Sequence, residues 1–308
     1  MARYQPQELA TQLKDGLLSF PVTAFDANHE IDAAAYQKHV EWQSSFGVAG
    51  LFAAGGTGEG FSLTPQENHD VVSLAVEASS PEVPVLGSAG GPLKQAIELA
   101  QGAEKAGAEG ILVLPPYLTE GTQEGLFQYV SAIAASTSLA VILYDRANAH
   151  YSAETVARLA EAHENFVGYK DSRGNIEHLA RVTSLNGDRL FYLGGLPTAE
   201  TFALPLLQMG VSTYSSAMYN FAPEFALQFY ADVRAKDTAA VNEKLKRFVL
   251  PYIAIRDRAA GYGVSIVKAG LEAVGRGVGG VRPPLQNLTE TDLADLKQLI
   301  DAAGVASA

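Results

Sequence analysis

Eight short apolar runs, each followed by a longer stretch of helical periodicity, most constrain what this chain can fold into. They lie at residues 17–22, 48–54, 83–87, 110–114, 139–144, 166–170, 190–193 and 211–215. The runs are unbroken rather than alternating, as expected of strands buried on both faces beneath helices. Their starts are roughly 20 to 35 residues apart, close to the repeat of a (β/α)8 unit. The expected fold class is therefore α/β, a (β/α)8 TIM barrel. An open doubly wound sheet is the competitor, and eight evenly spaced units favour closure.

Helix starts carry their own signals. Thr64-Pro65-Gln66-Glu67 combines an N-cap, a proline at the first helical position and a glutamate at the third. Ser152-Ala153-Glu154-Thr155 opens the helix after the fifth strand in the same way. Eight strands and their helices use residues 1–235. The remainder, 236–308, reads as a C-terminal three-helix extension (238–255, 264–274 and 289–303) packed on the barrel. No linker, charge block or low-complexity stretch separates the two parts.

Composition excludes several classes of function. The net charge of −12, from 34 acidic and 22 basic side chains, leaves no basic stripe for nucleic acid. A small anionic substrate would need local donors against this negative background. Cysteine is absent, which removes disulfides, thiolate metal sites and cysteine catalysis. The six histidines (29, 39, 69, 150, 163 and 178) are scattered without metal-ligand spacing, so no metal is expected and they are read as surface or helix-face residues. The polar start Met1-Ala2-Arg3-Tyr4-Gln5-Pro6-Gln7-Glu8 lacks the apolar core of a signal peptide, and no apolar run approaches membrane-spanning length. A soluble cytoplasmic protein is expected.

Three of the strand-like runs end in chemically useful groups. The sixth ends in Lys170, the fifth in Tyr144, and the second leads into Gly55-Gly56-Thr57-Gly58-Glu59-Gly60. A parallel barrel does its chemistry at the C-terminal ends of its strands. An amine, a phenol and a glycine-rich anion seat together suit Schiff-base chemistry on a 2-oxo acid. A lysine with an ordinary pKa near 10.4 is not nucleophilic at neutral pH, but desolvation at a strand mouth lowers it. The glycine loop lacks the Lys-Ser/Thr ending of a P-loop and the spacing of a dinucleotide fingerprint. Its natural guest is a carboxylate. Taken singly, each piece has a bland explanation: a solvated lysine, a tyrosine capping a carbonyl, a tight turn.

Taken together, Gly55-Gly56-Thr57-Gly58-Glu59, Tyr144 and Gly168-Tyr169-Lys170 at these spacings resemble the dihydrodipicolinate synthase/N-acetylneuraminate lyase superfamily, over essentially the whole chain. Members are (β/α)8 barrels that form an iminium between a strand-six lysine and a 2-oxo acid. They usually assemble as tetramers built from dimers, so the resemblance implies a homo-oligomer, dimer or tetramer. It also implies Lys170 as the Schiff-base lysine, Tyr144 as the proton shuttle, and Gly56, Thr57 and Gly58 as the carboxylate seat. Ser172 and Gly195 line the same rim by that resemblance. No cofactor is implied, because the lysine itself supplies the electron sink.

Departures from the lysine-pathway synthase pattern narrow the expectation. The first loop has Gly56-Thr57 where the synthase has paired threonines, and Pro116-Tyr117-Leu118 replaces a double tyrosine. Asp145-Arg146-Ala147-Asn148-Ala149 stands where the synthase carries Asn-Val-Pro-x-Arg. The opening Gly16-Leu17-Leu18-Ser19-Phe20-Pro21-Val22-Thr23-Ala24-Phe25-Asp26 and the Tyr144-Asp145-Arg146-Ala147-Asn148 stretch instead resemble a branch that dehydrates and decarboxylates a sugar-derived 2-oxo diacid, although Asp145 replaces the asparagine expected there. A small-molecule sugar diacid is then the expected substrate. Arg146 and Asn148 are the proposed donors to its second carboxylate. Ser215 and Ser216, at the end of the eighth strand, either touch substrate hydroxyls or are structural. Two alternatives remain: a class I retro-aldol lyase on the same iminium, and a non-catalytic sugar-acid sensor on the same barrel.

Overall fold

The computed structural model describes residues 2–305; Met1 of the polar amino-terminal start and the last three residues of the expected extension lie outside the described residues. All eight expected strands are present: β1 Leu18–Ser19, β2 Gly50–Phe52, β3 Val85–Ala89, β4 Gly110–Val113, β5 Ala140–Asp145, β6 Phe166–Asp171, β7 Phe191–Gly194 and β8 Thr213–Tyr214. They pair in parallel in chain order, and a parallel bridge from Leu18 to Ser215 brings β8 back to β1. The sheet is a (β/α)8 barrel. Its outer ring is α2 Ala33–Ser44, α3 Pro65–Ala78, α4 Leu93–Lys105, α5 Gln123–Ala134, α6 Ala153–Ala162, α7 Ile176–Asn186, α8 Glu200–Leu207 and α9 Pro223–Ala235.

The two-faced burial of the strands divides the core in two. Between sheet and helices lie Val85, Ile111, Val113, Val141, Leu143 and Tyr169 with the inner faces of the helices. Inside the barrel lie Leu18, Phe20, Phe52, Leu86, Leu112, Ile142 and Leu193, in the layered packing such barrels use. A helix not read from the sequence, α1 Pro6–Leu13, closes the floor by inserting Leu9 and Leu13 into that inner cluster. The capping signals hold where they were read: Thr64 Oγ1 accepts from the Glu67 N–H, the Thr64 N–H donates to the Glu67 carboxylate, and Ser152 Oγ accepts from the Thr155 N–H.

Beyond the ring come α10 Thr238–Lys244, α11 Leu250–Arg256, α12 Tyr262–Ala273 and α13 Glu290–Ala303. The stretch read as one helix over 238–255 is interrupted by a wider π turn at Leu245–Val249. Pro251 lies just beyond it and has no N–H to return to the preceding turn, a recognised cause of such local unwinding. Among the described residues no helix is long and apolar enough to cross a membrane. His39 departs from the surface or helix-face reading. It lies on α2 but is buried, hydrogen-bonded to Gln43 and Asn220, and desolvation drives its pKa down to about 4.

Candidate active site

Barrel closure places Tyr144 and Lys170 at partner positions of β5 and β6, side by side at the strands' C-terminal ends. Both open into a cavity of about 530 Å³, along with Gly56, Thr57, Arg146, Gly195 and Ser216. Only 5% of Lys170 is exposed. Its Nζ lies 3.9 Å from the centre of the Phe20 ring and 4.5 Å from that of Tyr144, and no carboxylate pairs with it among the described residues. Burial, aided by the positive charge of Arg146, lowers its pKa to about 7. Rings that solvate an ammonium poorly, with no counterion, leave a large fraction of free amine at neutral pH.

The other buried lysine shows the contrast. Lys268 of α12 lies 2.7 Å from Glu59 Oε1 and donates to the Gly280 carbonyl at 2.6 Å. Desolvation still pulls its pKa below the usual lysine range, but its charge has a partner. Lys268 is part of the framework, whereas Lys170 faces the cavity as an amine.

The Tyr144 hydroxyl donates to the Gly195 carbonyl at 3.2 Å and accepts from Arg146 Nη1 at 3.0 Å. This phenol is thereby placed between a guanidinium and the wall beneath Lys170. Gly195 permits that arrangement. A Cβ there would lie 2.7 Å from both Cγ and Cε of Lys170 and 2.9 Å from the Asp171 carbonyl oxygen. Gly195→Ala should displace the lysine stem and lower turnover on the order of 100-fold, the usual effect of misplacing a reacting group by about 1 Å. Steady-state rates measured beside a melting curve would separate this from simple unfolding.

The glycine loop divides its labour among its residues. A Cβ at Gly60 would meet the Ala54 carbonyl, and one at Gly58 would lie 2.9 Å from the Pro21 carbonyl, whereas the space around Gly56 is open. Glu59 and Gly60 donate their N–H groups back to the Gly56 and Gly55 carbonyls at 3.2 and 2.9 Å. Gly56 and Thr57 line the cavity, where their N–H groups and the threonine hydroxyl can meet an anion. Glu59 turns away in a left-handed conformation (φ 56°) and accepts from the Arg282 N–H at 2.9 Å. With Lys268 on its other oxygen, this carboxylate ties the loop to the C-terminal helices.

Three residues expected at the site do not line the cavity. Gly58 faces the framework, its carbonyl accepting from Thr23 Oγ1 at 2.6 Å. The Asn148 amide donates to the Thr119 carbonyl. Ser172 begins the loop after β6, its N–H bonded to the Asp145 carbonyl at 3.2 Å. Asp145 itself is fully buried and faces away: Oδ2 accepts from the Tyr169 hydroxyl at 2.7 Å and Oδ1 lies 2.8 Å from His150 Nδ1. Conversely, the cavity includes Thr198 after β7, and Tyr252 and Arg256 of α11, which no sequence motif marks. Arg256 Nη1 donates to Thr198 Oγ1 at 2.5 Å.

Comparison with known proteins places this geometry in context. A model of the dihydrodipicolinate synthetase family matches residues 13–303. A protein of Corynebacterium glutamicum named probable 5-dehydro-4-deoxyglucarate dehydratase is 70% identical over 307 residues, covering 100% of this chain and 97% of its own. A protein of Arthrobacter sp. with the same name is 67% identical over 97% of this chain and 99% of its own. Among solved structures, YagE from E. coli K12, a prophage protein of the dihydrodipicolinic acid synthase family in complex with pyruvate, superposes with a TM-score of 0.85. It is 27% identical, over 95% of this chain and 99% of that one.

Proposed function

This chain belongs to the dihydrodipicolinate synthetase family, and on that premise we propose that it is a lyase that dehydrates and decarboxylates 5-dehydro-4-deoxyglucarate to 2,5-dioxopentanoate. The observation that carries the chemistry is Lys170: a buried amine, unpaired among the described residues, beside a phenol and a glycine-rich loop. The name borne by relatives at 70% and 67% identity supports the substrate.

In this reading the Lys170 amine condenses with the C5 ketone while the C6 carboxylate rests on Gly56 and Thr57. The iminium acidifies the C4 hydrogens, and Tyr144 moves the proton that leaves as the enamine forms. The enamine expels the C3 hydroxyl as water, creating a C3–C4 double bond conjugated to the iminium. Electrons from the C1–C2 bond then flow through that double bond into the iminium, and C1 departs as carbon dioxide. The remaining C2 enol becomes an aldehyde, C4 of the enamine regains a proton, and hydrolysis of the restored iminium frees the lysine. Arg146 is our choice for the C1 carboxylate until it leaves, with Arg256 as a second guanidinium in the same cavity. Asn148 and Ser172 receive no direct substrate contact in this account.

Arg146→Gln should raise KM for the diacid about ten- to a hundredfold, the range expected on losing a charge-assisted pair. Because the positive charge of Arg146 helps to lower the Lys170 pKa, the same variant should move the rise of kcat/KM to higher pH. A pH series of initial rates checks both effects. A homo-oligomer in the cytoplasm completes the proposal; the exposed Tyr117-Leu118 pair, in a left-handed turn at the cavity, supports the assembly alone, and sedimentation of the purified chain tests it. The function itself is tested by incubating the protein with 5-dehydro-4-deoxyglucarate. Equal amounts of carbon dioxide and 2,5-dioxopentanoate are expected, whereas pyruvate release would move the chain to the retro-aldol lyases.

A further inference from the structure

Behind the cavity wall lies a buried acid that iminium formation and decarboxylation do not use. Glu200 opens α8 and is 2% exposed. Its Oε1 lies 2.5 Å from Ser216 Oγ, and Ser216 lines the cavity that holds Lys170. The other carboxyl oxygen, Oε2, is buried without a hydrogen-bond partner among the described residues. A carboxylate placed there only to cap α8 would leave half of its charge desolvated and unsatisfied, an unfavourable use of a buried group.

We propose that Glu200 and Ser216 form a two-residue relay that delivers the proton with which the C3 hydroxyl leaves as water. Ser216 is the catalytic residue and Glu200 the positioning and supplying residue behind it. The inference rests on the Schiff-base reading and adds the general acid that the dehydration requires. The Glu200 carboxyl O–H donates its proton to Ser216 Oγ as the Ser216 proton passes to the C3 oxygen. The C3–O bond breaks as the enamine electrons form the C3–C4 double bond, leaving water and the Glu200 carboxylate. After decarboxylation, the C2 enol returns its hydroxyl proton along the same path as it becomes an aldehyde, while C3 takes up a proton from the Tyr144 side. The C4 enamine then takes up a proton from solvent, the one consumed when a carboxylate leaves as carbon dioxide, and becomes the iminium that water hydrolyses, so protons and electrons balance over the cycle.

The surroundings suit a carboxyl that holds its proton. Desolvation is the largest influence on Glu200 and raises its pKa to about 7, against the opposing effects of the Ser216 hydroxyl, the helix N–H and the Arg256 charge. The other titratable groups facing it are the Tyr214 hydroxyl of β8 and the Tyr252 hydroxyl of α11, both held neutral by burial. Arg256 of α11 is the cation that bears on it. The acid form is the working form, so kcat should fall as pH rises through about 7. Lys170 titrates in the free enzyme and therefore appears in kcat/KM, where the rate rises through the same region. In the substrate complex Lys170 is already an iminium, so kcat carries the falling Glu200 limb alone, while kcat/KM carries both limbs.

The test uses the full chain as wild type, Glu200→Gln, Ser216→Ala and the double variant. Three readouts are needed: kcat and KM for 5-dehydro-4-deoxyglucarate across pH, a melting curve, and borohydride trapping of pyruvate on Lys170. The relay predicts a fall in kcat on the order of 10²- to 10³-fold in each single variant and no further fall in the double variant. KM and pyruvate trapping should stay within about threefold of wild type, and the alkaline limb of kcat should vanish in Glu200→Gln. If Glu200→Gln does not fold, Ser216→Ala carries the same predictions alone. Near-wild-type kcat in a folded single variant would overturn the relay, as would a parallel loss of trapping and kcat, which marks a structural role. A wild type that traps no pyruvate would instead remove the Schiff-base reading itself.

Discussion

Lys170→Met is expected to abolish turnover and, at the same time, to make the protein more stable. Without the amine no iminium forms, and turnover should drop on the order of 10⁴-fold or more. The gain in stability follows from the same burial that makes the amine reactive. The Lys170 pKa is lowered from 10.5 to about 7 by desolvation and by Arg146. The unfolded chain therefore binds a proton that the folded chain releases between those values, so this group contributes stability that increases with pH from about 7 to 10.5. Below pH 7 the full penalty applies, about 5 kcal/mol for a shift of this size, and above pH 10.5 it is gone. Methionine fills a similar volume without a charge and escapes the penalty. At pH 7 the variant should melt about 5 °C or more above wild type, with the difference shrinking toward zero near pH 10.5. Denaturation curves at the two pH values, beside an activity assay, check the prediction. Equal stability at pH 7 would mean that Lys170 is not held as a desolvated amine.

The second large effect concerns the lysine that resembles Lys170 only in being buried. Lys268→Met removes the cation 2.7 Å from Glu59 Oε1 and leaves that carboxylate enclosed with the Arg282 N–H. Breaking one side of a buried pair usually costs about 3–5 kcal/mol, because the surviving charge stays desolvated. The double variant Glu59→Gln with Lys268→Met should recover most of that loss, since neither charge remains. Urea denaturation of the three variants gives the coupling directly. Glu59 also anchors the loop that carries Gly56 and Thr57, so Lys268→Met should raise KM as well as lower stability. A substitution on α12 would then be felt at the anion seat through one ion pair.

The fold was legible because its signal is local and repeated. Each strand is a short apolar run, each barrel helix has its own periodicity, and the capping pattern at Thr64 needs only four adjacent residues. The floor helix was not read, although Pro6 and the Gln5–Glu8 reciprocal contact are recognisable start signals. Its apolar face is Leu9, Ala10 and Leu13 within eight residues, too short for periodicity to declare itself. At the cavity, Lys170, Tyr144 and the glycine loop could be found because strand ends are predictable places. Arg256, Thr198 and the pairing of Ser216 with Glu200 could not, since they depend on how α8 and α11 come to rest beside the barrel. Asn148 and Ser172 failed to reach the cavity for the opposite reason. Position near a strand end is readable, but the direction in which a loop turns its side chain is not.

The C-terminal helices make the same point about function. They add no strand to the barrel, yet α11 contributes Tyr252 and Arg256 to the cavity and α12 holds the glycine loop through Lys268. Their role in specificity would therefore be examined at Arg256, which brings a positive charge to a cavity proposed to receive a diacid.

The most direct test of the account is reduction of the intact protein with borohydride during turnover of 5-dehydro-4-deoxyglucarate, followed by mass spectrometry and peptide mapping. One stable adduct per chain is expected, mapped to Lys170 and absent from Lys170→Met, formed while carbon dioxide is released. Carbon dioxide release without any adduct, or an adduct on another lysine such as Lys268, would contradict it.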